Sequence, residues 1–170
     1  SGSISLLAAQ GTNNTSMTVG LGGSANTGTT GLKTGTVVVS LTSNGTGTST
    51  LANTSLTAQT VTVNGGVYDY AAANTITTPI ALTNVHKNGT FGTSALSIQN
   101  TAAATYSEKL DAAFGTITGL TTTNGGSISQ LAAQGTNNTS MTVGLGGSNN
   151  TGTAGTKTGT VAVNLISNGT

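Results

Sequence analysis

The chain has 170 residues, enough for one ordinary domain or for one complete repeat and part of another. Thr, Gly, Ser and Asn supply 98 of them, or 58%, while charged residues make up 4%, against roughly 25% in an average soluble protein. With four Lys, three carboxylates, one His, a net charge of +1 and no Cys or Trp, a basic nucleic-acid face, a Cys-based metal site and a disulfide framework are excluded.

Predicted elements follow from hydrophobic alternation. Met17, Val19 and Leu21 alternate with Thr18 and Gly20, which predicts a first strand. From Gly35 to Thr42, Val37, Val39 and Leu41 fall on one face of a second. Val61 and Val63 alternate with Thr60 and Thr62, and Ile80/Leu82 and Leu96/Ile98 form shorter pairs. Between Tyr106 and Phe114, one face collects Tyr106, Leu110, Ala112 and Phe114 together with Glu108. Asn-Gly dipeptides at Asn44, Asn64, Asn88, Asn124 and Asn168 supply turn signals, because Asn tolerates the positive φ of tight turns. No segment has a 3.6-residue period, and Ala102-Ala103-Ala104 is the one candidate for a short helical turn.

Leu, Ile, Val and Phe total 20% of the chain, a level at which disorder becomes a concern. Disorder usually couples low hydrophobicity to high net charge or many prolines. This chain has nearly zero net charge and the single proline Pro79, and its apolar residues alternate, so it is expected to fold. No apolar run approaches the ~18 residues of a membrane helix. There is no basic start with an apolar h-region, so no signal peptide is expected, and the opening Ser1-Gly2-Ser3 reads as the middle of something longer.

The dominant feature is an internal repeat: residues 2–46 return as 126–170, with seven mismatches in 45 positions. A period of 124 residues exceeds the 20–50 of solenoids and propellers and suits a whole domain. The mismatches are ordered. Val161, Val163 and Leu165 repeat Val37, Val39 and Leu41, whereas Val38, Ser40 and Thr42 become Ala162, Asn164 and Ile166 on the opposite face. One face is held by packing and the other is free to vary, as for a strand covering a core on one side. The expectation is an all-β chain, an antiparallel Ig-like β-sandwich of about seven strands repeated in tandem. The alternative, a parallel β-helix, needs a rung period of about 20 residues, and none occurs within the 124.

Four segments, in order, resemble a known family. Leu82-Thr-Asn-Val-His-Lys-Asn-Gly89 resembles the G-N-V-x-V-G opening of Hydin-type Ig-like domains, and Leu96-Ser-Ile-Gln-Asn-Thr101 is similar to their L-x-I-x-N-T strand. Leu7-Ala-Ala-Gln-Gly11 resembles their L-A-P-G turn without its proline, and Gly35 to Asn44 resembles their closing strand. The nearest resemblance is to bacterial choice-of-anchor D and related β-strand-repeat surface proteins. It implies a boundary near Ala73, with 1–73 ending one Ig-like repeat and 74–170 beginning the next. The second repeat then lacks its final strands, which further sequence or another copy must supply by strand exchange.

Few side chains offer chemistry. His86 is the only imidazole, precedes the turn Lys87-Asn88-Gly89, and has neither a Gly-x-Ser-x-Gly elbow nor a phosphate loop elsewhere to serve. The cluster Glu108, Lys109 and Asp111 offers paired carboxylates for acid/base work, or more plainly a strand-end salt link or a hydrogen-bonded buried acid at Glu108. A Lys–Asn isopeptide bond promoted by Glu108 is a third reading. Three acids in total do not furnish a calcium loop. Thr60/Thr62 and Thr121–Thr123 are too short and irregular for a water-ordering array and fit ordinary β-propensity. Asn53-Thr-Ser55 and Asn88-Gly-Thr90 are glycan sequons.

The expected role is structural and non-enzymatic, without cofactor or metal. Tandem sandwiches on a bacterial cell surface or outside the cell form a filament, stalk or matrix fibre, with self-association as the partner interaction. The alternative is an adhesin for surface glycans, with Tyr68, Asp69 and Tyr70 as the candidate binding cluster.

Overall fold

The computed structural model describes residues 2–23, 27–146 and 151–170. The chain divides into two compact units, Ser1–Val67 and Tyr68–Thr170. Its elements are all strands, and every strand pair is antiparallel. No described helix is long and apolar enough to cross a membrane.

In the first unit, β1 (Gly31–Ser43) and β2 (Thr54–Val67) form one long two-stranded ribbon. Thr and Val dominate both strands, which suits a pleated surface. Val37 lies opposite Val61 and Thr36 opposite Thr62, and β2 carries an extra residue where Val39 pairs Gln59 but Leu41 pairs Leu56. The segment before the ribbon has no strand: the one expected across Met17 to Leu21 does not form.

The second unit holds β3 (Thr93–Ala95), β4 (Ile98–Gln99), β5 (Lys109–Gly119), β6 (Thr121–Thr123), β7 (Ser127–Leu131), β8 (Thr136–Asn137), β9 (Thr142–Leu145) and β10 (Gly159–Asn168). They make three sheets, ordered β10-β5-β7, β3-β9-β6 and β4-β8. Residues from all three meet in one core of Leu96, Ile98, Leu110, Ala112, Ile128, Met141 and Val143. Burying each such large aliphatic side chain stabilises a fold by roughly 1.5–3 kcal/mol. The alternation expected on β5 is present, with Leu110 and Ala112 buried and Phe114 packed against the core. On β10, Val161 and Val163 pack inward while Ala162 and Asn164 are exposed.

Two local expectations are corrected. Ile80 and Leu82 lie in irregular chain rather than a strand; Ile80 still packs against the core, so burial alone accounts for its apolar side chain. Ala102–Ala104 forms no helical turn. Ala102 is buried and its amide is taken by the side chain of Asn100, which competes with helical pairing.

The tie between the sheets is Asn100, fully buried. Its Nδ2 donates to the carbonyls of Glu108 and Leu131, both at 3.1 Å, and its Oδ1 accepts from the amides of Ala72 and Ala102, both at 3.2 Å. All four side-chain sites are used, as a buried amide requires. Asn74 assists by accepting from Gln99 N at 2.7 Å and donating to Ser97 O at 3.1 Å. The segment around Ala72 is thus laced to the strand that carries the core residues Leu96 and Ile98.

Candidate functional site

Tyr68 and Tyr70 are exposed at 60% and 79% of their surface. The Tyr68 ring leans on Tyr106, with centroids 5.5 Å apart and planes tilted by 58°. Between the tyrosines, Asp69 is fixed by its backbone: its N–H donates to Tyr106 O at 2.8 Å, and its carbonyl accepts from Glu108 N at 2.9 Å. The three residues form a small aromatic and acidic surface on an anchored backbone.

Glu108 is half-buried, so it falls short of the buried acid expected from sequence. The reason is its place just before β5, where its carboxylate accepts from Ser167 Oγ at 2.6 Å while that hydroxyl accepts from Ala71 N at 2.7 Å. Lys109 closes no salt link here; its Nζ donates to Gln130 Oε1 at 3.2 Å. Asp111 accepts from Gln130 N at 2.6 Å and from Asn168 Nδ2 at 2.7 Å. The Gln130 amide above all, then the Asn168 side chain, holds the Asp111 carboxyl below its ordinary range, against a small opposing effect of burial. The charge cluster therefore staples β5 to β7 and β10 through neutral partners.

His86 is exposed and opens a turn in which Gly89 N donates to His86 O at 2.8 Å, with Asn88 at φ 66°. An open hollow of about 130 Å³ beside it is lined by His86, Lys87, Phe91 and Lys157 among others. Among the described residues, no three His, Asp or Glu side chains gather as a metal site.

The feature that sequence reasoning missed is the contrast between the two repeat copies. Their turns are the same. Asn13 Oδ1 accepts from Thr15 N at 3.2 Å and Ser16 N at 3.0 Å, and Asn137 Oδ1 accepts from Thr139 N and Ser140 N at the same two distances. Gly11 N donates to Ala8 O at 2.8 Å, and Gly135 N to Ala132 O at 2.9 Å. Their burial is opposite. Ile4, Met17 and Val19 are 36%, 39% and 51% exposed, whereas Ile128, Met141 and Val143 are 6%, 0% and 7% exposed.

The cause is the cover. β5 pairs β7, and β3 and β6 flank β9. All three covering strands come from 93–123, before the second copy, and the first copy has no such stretch in this sequence. The Leu6/Gln130 mismatch sits at this junction: Gln130 receives Lys109, while Leu6 is exposed.

Comparison of the chain with protein-family models, with curated proteins and with solved structures finds no match.

Proposed function

We propose that this chain is a structural, non-enzymatic protein of the bacterial cell surface or extracellular matrix, in which tandem Ig-like β-sandwiches build a filament, stalk or fibre and assemble by exchanging strands. The supporting observation is the uncovered first copy. Three side chains that fill a core at 128, 141 and 143 stand exposed at 4, 17 and 19. Leaving them in water forgoes several kcal/mol at roughly 1.5–3 kcal/mol each, a sizeable fraction of the 5–15 kcal/mol that holds a domain together. A surface already shaped to pack against strands of its own kind is an assembly surface. The low charge of the chain offers weak electrostatic opposition to such packing.

Light scattering on the 170-residue chain over rising concentration tests self-assembly. Growth beyond the monomer is expected, and a compact monomer at every concentration overturns it. Images of the native assembly then distinguish beads on one chain from exchanged strands.

The second reading, an adhesin for surface glycans, draws on the exposed Tyr68 and Tyr70 flanking the backbone-anchored Asp69. Aromatic faces beside a carboxylate suit a sugar's apolar face and hydroxyls. A glycan array probed with the folded chain is expected to give signals that disappear in Tyr68→Ala and Tyr70→Ala; an array without signal removes this reading.

A further inference from the structure

We propose that the outer edge of β10 is a strand-addition site for residues 54–67 of a second copy of this chain, held in the register that β2 keeps with β1. This inference rests on the self-assembly reading above and names its two surfaces.

β10 has a hydrogen-bonded neighbour, β5, on one side only among the described residues, and is therefore the edge of its sheet. Such an edge presents unpaired N–H and C=O groups that template another strand. Natural edges are usually guarded by charge or proline. Gly159–Asn168 contains neither, and Thr54–Val67 contains neither. Both surfaces are open to pairing.

The same chain shows what pairs with this sequence. β10 repeats residues 35–44, differing only at Ala162, Asn164 and Ile166, which share one face. In β1 those residues are paired by β2: Gly35 with Val63, Val37 with Val61, Val38 with Thr60 and Val39 with Gln59. Shifted by the repeat, this register sets Gly159 against Val63, Val161 against Val61, Ala162 against Thr60 and Val163 against Gln59. β1 and β10 are both regular over this stretch, since the extra residues lie in β2 and in β5.

Packing gives the exchange its direction. On β1, β2 belongs to a two-stranded ribbon with Val37, Leu41, Leu56 and Val61 exposed, and an isolated two-stranded ribbon is marginally stable in water. On β10, the same strand becomes the fourth of a sheet whose Val161 and Val163 already pack on a core. Ladder pairing is equal in the two places, so the difference is apolar burial. The cost is the release of β1 from its partner.

The chain has no cysteine, so engineered thiols report pairing without background. One set of chains carries Thr60→Cys or Val61→Cys, and another carries Ala162→Cys or Val161→Cys. They are mixed as 60 with 162 and 61 with 161, because one of two adjacent pairs in an antiparallel ladder is the close, non-hydrogen-bonded one. Within one chain, Thr60→Cys with Val38→Cys and Val61→Cys with Val37→Cys identify which it is. Thr60→Cys mixed with Asn164→Cys is the out-of-register control, and circular dichroism checks that each variant keeps its β-structure.

The proposal expects the close pair to give an interchain disulfide several-fold above the control, mapped by peptide mass. Control-level yield at both in-register pairs overturns it. If light scattering still shows assembly in that case, the self-assembly reading stands and this edge is not its site. A chain that stays monomeric throughout removes both.

Discussion

Residues 2–46 and 126–170 are nearly the same sequence in two surroundings. Both copies form the same Asx turn at Asn13 and Asn137 and the same reversed backbone before Gly11 and Gly135, with Gln10 at φ 59° and Gln134 at φ 63°. Only the second forms strands over 127–131 and 142–145; the equivalent residues 3–7 and 18–21 have none. The turns are local devices whose bonds close within three residues. The strands are not, because each needs a ladder partner and a buried face. The difference separates what this sequence encodes by itself from what it encodes together with a cover.

The largest way to break the comparison acts on the cover. Asn100→Ala removes a side chain that satisfies four buried backbone groups. At about 1–3 kcal/mol for each group left unpaired, the expected loss is about 4 kcal/mol or more. In chemical denaturation the second unit then loses its cooperative transition, and the second copy should come to behave like the first. Next come the matched methionines. Met141→Ala is expected to cost about 2–5 kcal/mol, and Met17→Ala within about 0.5 kcal/mol, as at a surface site. Equal costs would contradict the assigned burial.

A smaller effect sharpens the comparison from the other side. Asn13→Ala and Asn137→Ala each remove the same turn bonds, at about 1 kcal/mol apiece. Hydrogen exchange at Ser16 and at Ser140 is expected to accelerate in the matching variant, with the turn lost in both copies alike. The smallest effect is a pH dependence. Asp111 has a folded-state pKa below its ordinary value of 3.8, so it contributes stability that is present above that value and lost as pH falls through the lower folded value. Acid denaturation of the second unit is expected to begin slightly later in Asp111→Asn than in the parent chain. An unchanged acid limb would show that the Gln130 and Asn168 bonds carry no linkage.

The sequence made part of this legible. Strict alternation at Val37–Leu41 and Leu110–Phe114 marks β1 and β5, where β-branched and apolar residues keep period two over a long stretch. It misled at Met17–Leu21, which alternates equally well but has no partner strand, and at Ile80–Leu82, where apolar residues enter the core from irregular chain. Asn100 stood inside the Leu96–Thr101 motif, yet its role depends on four backbone groups distant in sequence. Glu108 shares the parity of the buried face, but its place before β5 leaves it half-buried and bonded to Ser167. Burial contrast between the copies was unreadable, because identical residues carry identical patterns whether or not anything covers them.

The two methionines, one in each copy, allow the central claim to be measured directly. With methyl-labelled methionine and a soluble paramagnetic agent, dilute chain gives two resonances, assigned by Met17→Leu. The Met17 methyl is expected to broaden strongly while the fully buried Met141 methyl stays sharp. Equal protection of the two methyls would contradict an uncovered first copy, and with it the account of this surface as the one built for assembly.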